Sequence, residues 1–168
     1  MRPVLYRMAD YFAVAGGIIL AVIVLVTTTN VSAFILHRIV STWGGGVSGL
    51  PGYEDFVRLA MSSAALMFFP YCQVKRGHVA VDIIMEHASK GVQRLFDRLW
   101  SAVAILLTGF LAWWMVIGML ESRSDAVIVG VLGWSEWPFY IPGILSLILW
   151  ALVALAQFFD EPEGATHV

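Results

Sequence analysis

The sequence predicts an all-α membrane protein, with four transmembrane helices and an amphipathic interfacial helix between the second and third. The first reason is composition: the 168 residues are 60% hydrophobic and 13% charged, with a mean hydropathy of +0.81. Soluble domains are about 45–50% apolar and about 25% charged. The second reason is four apolar runs, each long enough to cross a hydrocarbon layer of about 30 Å. We therefore treat residues 1–168 as a single four-helix membrane domain.

The first predicted span covers residues 11–36. This run is far longer than the apolar core of a secretory signal, about 7–15 residues, so it is expected to remain in the protein. Ala13, Gly17 and Ala21 form a stripe of small residues against which another helix can pack closely. A polar stretch, Thr27–Asn30, interrupts the run. Its side chains can bond within the bundle or back to their own helix, and the second is favoured for the hydroxyls.

The second predicted span covers residues 55–74, after a loop at 37–53 that glycine and proline keep from being helical. Ala60 and Ala64 offer a second small-residue contact face. Pro70 lies near the end of this span, and its ring clashes with the carbonyl of Leu66, so a kink is expected there.

An amphipathic helix is predicted over residues 81–99, because its apolar positions recur with helical spacing. Its opposite face carries charges that advance by fours, which is typical of a helix lying in the membrane interface or against a partner. The third and fourth spans are predicted at residues 100–120 and 138–159. The loop between them, 121–137, contains an apolar insert, Val127–Leu132, that is too short to cross a membrane.

The distribution of basic residues predicts that both termini are cytoplasmic, because Lys and Arg accumulate in cytoplasmic segments. The N-terminal tail and the segment between the second and third spans hold seven: Arg2, Arg7, Lys75, Arg76, Lys90, Arg94 and Arg98. The other two loops hold three: Arg38, Arg58 and Arg123.

The apolar centres of the four spans contain no Asp, Glu, Lys, Arg or His. Catalytic and substrate-carrying membrane proteins usually place ionisable groups there, and a haem subunit needs axial ligands inside its helices. We therefore assign no catalytic, substrate-binding or metal-binding residue and no cofactor. There is also no basic tract typical of nucleic-acid binding. The pattern favours a subunit that packs against and positions another protein.

One stretch carries a resemblance to a known family. Glu54 and Arg58 open the second span, and Arg76-Gly77-His78-Val79 closes it, with Asp82 four residues after His78. With the four-helix layout and the prolines that begin the last span, this resembles the small permease subunit of tripartite ATP-independent periplasmic (TRAP) transporters.

The resemblance implies a multi-pass protein of the bacterial inner membrane that is not an enzyme. It implies a large multi-span permease subunit that carries the substrate and sodium sites, and a periplasmic binding protein that delivers the substrate, often a carboxylate. This chain would be the scaffold that braces the large subunit. Two alternatives remain open: a membrane anchor of a redox enzyme complex, and a free-standing small exporter or channel.

Nine charged or titratable residues are candidates for contacts with partner subunits or the membrane. Glu54 and Arg58 can contact a partner or pair with each other across one helical turn. His78 and Asp82 can pair at a structural hinge. Basic side chains at the inner face can reach anionic lipid headgroups. The full set is Glu54, Arg58, Lys75, Arg76, His78, Asp82, Lys90, Arg94 and Arg98.

Overall fold

Helix α1 (Arg2–Val40) begins the fold and is longer than the span predicted at residues 11–36. The structure, a computed structural model, describes residues 2–75 and 90–159. At 1.5 Å per residue, the 39 residues of α1 extend roughly 58 Å, about twice the hydrocarbon thickness of a bilayer. The helix therefore continues beyond the hydrocarbon, and His37–Val40, predicted as loop, are helical.

Helices α2 (Tyr53–Met67) and α3 (Phe69–Val74) form the predicted second span, and Phe68 separates them. This interruption confirms the break expected near Pro70. Proline has no N–H, so the carbonyl of Leu66 loses its helical partner. The hydroxyl of Ser146 replaces that donor at 2.6 Å.

Helix α4 (Lys90–Ser124) is continuous. The prediction placed an interfacial helix at 81–99 and a separate span at 100–120, whereas the structure has no boundary between Leu99 and Trp100. Neither glycine nor proline occurs there to end a helix. Residues 81–89 of the predicted interfacial helix lie outside the described residues.

A small hairpin follows α4, with β1 (Ile128–Val129) antiparallel to β2 (Trp134–Ser135). The apolar insert Val127–Leu132 thus forms the first strand and turn of this hairpin. A short 3-10 helix (Trp137–Phe139) leads into α5 (Tyr140–Phe158). Pro138 and Pro142 lie in these first turns, where proline is tolerated.

The four helical segments run antiparallel, with α2 and α3 counted as one. Ala9, near the start of α1, packs with Leu149 and Val153 of α5, and Val74 of α3 joins them. We call this end of the bundle the Gln73 end, and the opposite end the Asp55 end. Arg2 and Phe159, the first and last described residues, therefore both lie at the Gln73 end.

Three helical stretches are long and apolar enough to cross a membrane: Pro3–Trp43, Gly91–Ser124 and Trp137–Phe158. The α2–α3 segment does not qualify as one uninterrupted helix, because it is divided into 15 and 6 residues. It is nevertheless central to the packing. Its buried residues are Leu59, Ala60, Ser63, Ala64, Met67, Pro70 and Gln73.

The packing face of α1 differs from the predicted stripe. Its buried positions recur every seven residues, at Ala9, Gly16, Ile23 and Asn30, the spacing of helices that cross at a shallow left-handed angle. A Cβ at Gly16 would lie 3.2 Å from the carbonyl oxygen of Ala64, whereas one at Gly17 would meet nothing within 4 Å. Gly17, the centre of the predicted Ala13/Gly17/Ala21 stripe, therefore does not pack against another described helix. Ala60 and Ala64 do form a contact face, as predicted.

Candidate subunit interface

The nine candidate residues fall into two groups, because α2 and α3 together extend roughly 33 Å between the two ends of the bundle. Glu54 and Arg58 are exposed at the Asp55 end. Lys75 and Arg98 are exposed at the Gln73 end, and Lys90 and Arg94 lie in the same helix as Arg98. The remaining three, Arg76, His78 and Asp82, lie outside the described residues.

The predicted pairing of Glu54 with Arg58 is not formed: these two described side chains make no ion pair with each other. Glu54 instead accepts a hydrogen bond from the Tyr53 hydroxyl at 3.2 Å. An exposed pair at this spacing contributes only about 0.2–0.5 kcal/mol, too little to fix two long side chains in water. Both charges are thus available for contacts outside the chain. Lys75 lies over the Tyr71 ring, with Nζ 5.6 Å from its centroid.

Asp55, which was not among the candidates, makes a tertiary hydrogen bond at this end. Its Oδ2 accepts a hydrogen bond from the backbone N–H of Val131 at 2.9 Å. A Cβ on Gly130 would lie only 2.5 Å from the same oxygen, so the turn must carry glycine there. Asp55 also lies in the first turn of α2, where the helix dipole favours a negative charge. It therefore fastens the hairpin to α2.

The glycine-rich loop between α1 and α2 folds back onto both neighbours. Gly52 has φ +76°, and a Cβ there would lie 2.7 Å from Cγ of Leu132 in the hairpin turn. Leu50 N–H donates to Oδ1 of the buried Asn30 at 2.8 Å. A Cβ on Gly49 would lie 2.7 Å from the same oxygen. The glycines thus allow the close approach that joins α1, α2 and the hairpin.

The Thr29 hydroxyl of the polar stretch in α1 bonds back to its own helix, as favoured from the sequence, and so does that of the nearby Ser32. Thr29 donates to the carbonyl of Leu25 at 2.8 Å, and Ser32 donates to that of Thr28 at 2.7 Å. Asn30 is the exception, because it bonds to the loop.

At the Gln73 end, the buried Gln73 and the half-buried Trp150 and Gln157 form a network that sequence reasoning missed. Gln73 Nε2 donates to Gln157 Oε1 at 2.8 Å, and Gln157 Nε2 donates to the backbone oxygen of Gln73 at 3.0 Å. Trp150 Nε1 donates to Gln73 Oε1 at 3.1 Å. The signal was present in the sequence, since an amide in an apolar helix commonly bonds to a neighbouring helix.

The outward surface of the bundle is apolar over most of its length. On α4, one such patch includes Phe110, Trp113 and Trp114, of which Trp113 is 68% exposed. On α1, the half-buried Gly17 and the exposed Ala21 lie between larger exposed apolar side chains. Between the two charged ends, the chain therefore presents apolar and small residues to its surroundings.

Comparison with known families identifies this arrangement. The family described as "Tripartite ATP-independent periplasmic transporters, DctQ component" matches residues 23–162. The chain belongs to this family. It is thus the small permease component of a tripartite transporter and not an enzyme, and it functions with a large permease subunit and a binding protein. No curated protein and no solved structure matches the chain.

Proposed function

We propose that this DctQ-family chain is the scaffold subunit of a sodium-coupled, binding-protein-dependent transporter that imports organic acids. One observation carries the scaffold assignment: most buried polar side chains of the described helices make hydrogen bonds within the chain. Ser63 donates to the carbonyl of Phe139, Ser146 to that of Leu66, and Thr108 to that of Ala104. In the Gln73 network, the side chains of Gln73, Trp150 and Gln157 likewise bond within the chain.

A carboxylate substrate in an apolar site needs paired cations or converging donors. Within the described residues, the buried side-chain atoms without a hydrogen-bond partner are Asn30 Nδ2 and Ser122 Oγ. Two neutral atoms do not meet that requirement. We therefore propose that the substrate binds to the large subunit, and we place the sodium ion there as well; no cofactor site is assigned to the described residues of this chain.

In this proposal, α2 and α3 together form a fourth crossing. Their combined extent of roughly 33 Å matches the hydrocarbon thickness, and Ser146 removes the penalty of an unpaired carbonyl at the break. The Gln73 end faces the cytoplasm of a bacterial inner membrane, since the basic residues concentrate there. Segment 81–99 contacts anionic headgroups through Lys90, Arg94 and Arg98, and the Asp55 end faces the binding protein.

The exposed face of α1 is proposed to dock a helix of the large subunit. A matched pair of substitutions tests this. Gly17→Leu should leave this chain folded when expressed alone, because its position is open, but should reduce the amount of large subunit that copurifies. Gly16→Leu should destabilise the isolated chain itself, because its Cβ would press on the backbone of α2.

Reconstituted sodium-driven uptake completes the test. Gly17→Leu should lower the uptake rate in proportion to the loss of complex, and the pattern of competing organic acids should stay the same. If the substitution changed the preferred acid, or if the chain alone moved substrate, the scaffold assignment would be wrong. Unchanged copurification would instead place the interface on another face.

A further inference from the structure

A cavity of about 220 Å³ lies between α2, α4 and the beginning of α5. It does not involve any of the candidate contact residues. Its lining consists of Leu59, Ser62, Ser63, Leu66, Met115, Glu136, Phe139 and Tyr140. With about 30 Å³ for each water molecule, this is roughly the volume of seven waters. It can hold a small headgroup or part of a chain, but not an entire lipid.

The position of the cavity along the bundle is that of the headgroup boundary. Glu136 immediately precedes the apolar span Trp137–Phe158. Trp134, Trp137 and Tyr140 flank Glu136 in the sequence. Trp and Tyr are enriched at membrane interfaces. The Ser63 hydroxyl bonds to the carbonyl of Phe139 at 2.7 Å, which places the serines of α2 at the same level.

From this level the lining becomes apolar with depth. Leu66 and Met115 both approach Gly143, one turn into α5: a Cβ there would lie 2.7 Å from Leu66 Cδ1 and 2.8 Å from Met115 Cε. The cavity is therefore polar at the level of the headgroups and apolar towards the hydrocarbon, which is the polarity of a phospholipid.

The polar side chains of the lining are those of Ser62, Ser63, Glu136 and Tyr140, and only the Tyr140 hydroxyl has a donor that no described bond uses. Ser62 and Ser63 already donate to the backbone carbonyls of Arg58 and Phe139, so each hydroxyl has acceptor lone pairs left. Glu136 adds a carboxylate that forms no ion pair with the described residues. The guanidinium of Arg123 lies over the Trp137 ring, 5.3 Å from its centroid. A carboxylate with neighbouring acceptors favours a cation that carries N–H donors.

We propose that this cavity binds the headgroup of a phospholipid with a primary ammonium, such as phosphatidylethanolamine. The ammonium donates to Glu136 and to the serine oxygens, and the acyl chains continue along Leu66 and Met115. A choline headgroup has the same charge but no N–H, and a glycerol headgroup leaves the lipid anionic. The site therefore selects by hydrogen bonding as well as by charge. This inference does not depend on the proposed transport role.

The test uses the full chain, purified with the subunits that accompany it and depleted of lipid by detergent exchange. The sample is incubated with equal amounts of phosphatidylethanolamine, phosphatidylcholine and phosphatidylglycerol with identical acyl chains, and retained lipid is measured by mass spectrometry of the intact protein. The wild type should retain phosphatidylethanolamine preferentially. Glu136→Gln should lower its retention about tenfold, which corresponds to about 1.4 kcal/mol, because the amide oxygen can still accept a hydrogen bond but the attraction between the carboxylate and the ammonium is lost.

Glu121→Gln is the matched control, because Glu121 is an exposed carboxylate of α4 that does not line the cavity. It should retain the lipid as the wild type does. Ser62→Leu fills the mouth of the cavity from an exposed position, and should lower retention even if Glu136→Gln folds poorly. Equal retention of the three lipids, or unaltered retention in both cavity variants, would overturn the proposal. So would a Glu136→Gln variant that keeps its lipid but loses the large subunit, since the cavity would then hold a basic side chain of that partner.

Discussion

The Asp55 end and the Gln73 end are stabilised by different kinds of hydrogen bond. At the Asp55 end, a carboxylate accepts a backbone N–H from the hairpin at 2.9 Å, and the contact is exposed. At the Gln73 end, neutral amides and an indole bond one another between α3 and α5, and Gln73 is only 4% exposed. Both contacts join α2–α3 to a later part of the chain.

The difference follows from solvation. Near water, a carboxylate keeps much of its hydration, and its bond contributes little when water can replace it. Inside apolar surroundings, burying a charge is costly, so neutral amides that satisfy one another are preferred. The same surroundings make each of those neutral bonds expensive to lose. Equivalent truncations should therefore cost more at the Gln73 end.

The largest expected effect is that of Gln73→Leu. It removes the acceptor of Trp150 Nε1 and the donor to Gln157 Oε1. Two half-buried groups then lack partners, and the expected loss is about 2–3 kcal/mol of unfolding free energy. Reversible unfolding in mixed micelles, followed by tryptophan fluorescence or circular dichroism, measures this loss.

A compensating triple variant makes this prediction sharper. Gln73→Leu combined with Gln157→Leu and Trp150→Phe removes the orphaned groups, so much of the lost stability should return, since replacing all partners with apolar groups is nearly neutral. If the single substitution lowered the unfolding free energy by less than about 0.5 kcal/mol, the network would not be a main source of stability at this end.

The second effect concerns the break between α2 and α3. Ser146→Ala should cost about 1–2 kcal/mol, because the carbonyl of Leu66 then has no donor. Pro70→Ala restores the missing N–H and, in the same chain as Ser146→Ala, should recover part of this loss. The double-mutant cycle measures that coupling. Strictly additive effects would show that Ser146 does not act through the Leu66 carbonyl.

How much of this was accessible from the sequence depends on the range of each interaction. The break near Pro70 could be predicted, because the missing N–H and the ring are local properties. Its compensation by Ser146, 80 positions from Leu66, could not. The helical segments followed from apolar length, but the lengths of α1 and α4 did not, since a helix can continue through polar residues beyond the hydrocarbon.

The packing face of α1 shows a different limit. The adjacent glycines Gly16 and Gly17 lie in two small-residue patterns, and the four-residue spacing pointed to Gly17. The seven-residue series that includes Ala9, Ile23 and Asn30 would have pointed to Gly16, which is the residue that packs on α2. At the Asp55 end, neighbouring Glu54, Asp55 and Arg58 looked equivalent as charges. Only the position of the hairpin distinguishes Asp55.

The smallest expected effect is that of Asp55→Ala, at about 1 kcal/mol or less, because water can reach the Val131 N–H once the carboxylate is gone. Asp55→Asn should cost less still, since its amide oxygen can accept the same bond. Glu54→Gln is the matched control, because Glu54 is a neighbouring exposed carboxylate with no tertiary bond, and it should be neutral.

Local opening of the hairpin turn should nevertheless be visible in Asp55→Ala, because the bond holds this one turn rather than the whole bundle. Amide hydrogen exchange at Val131 should accelerate in Asp55→Ala, while exchange in α5 stays as in the wild type. A global loss as large as that of Gln73→Leu would contradict the solvation argument, since a water-accessible bond would then be as costly to lose as a buried one.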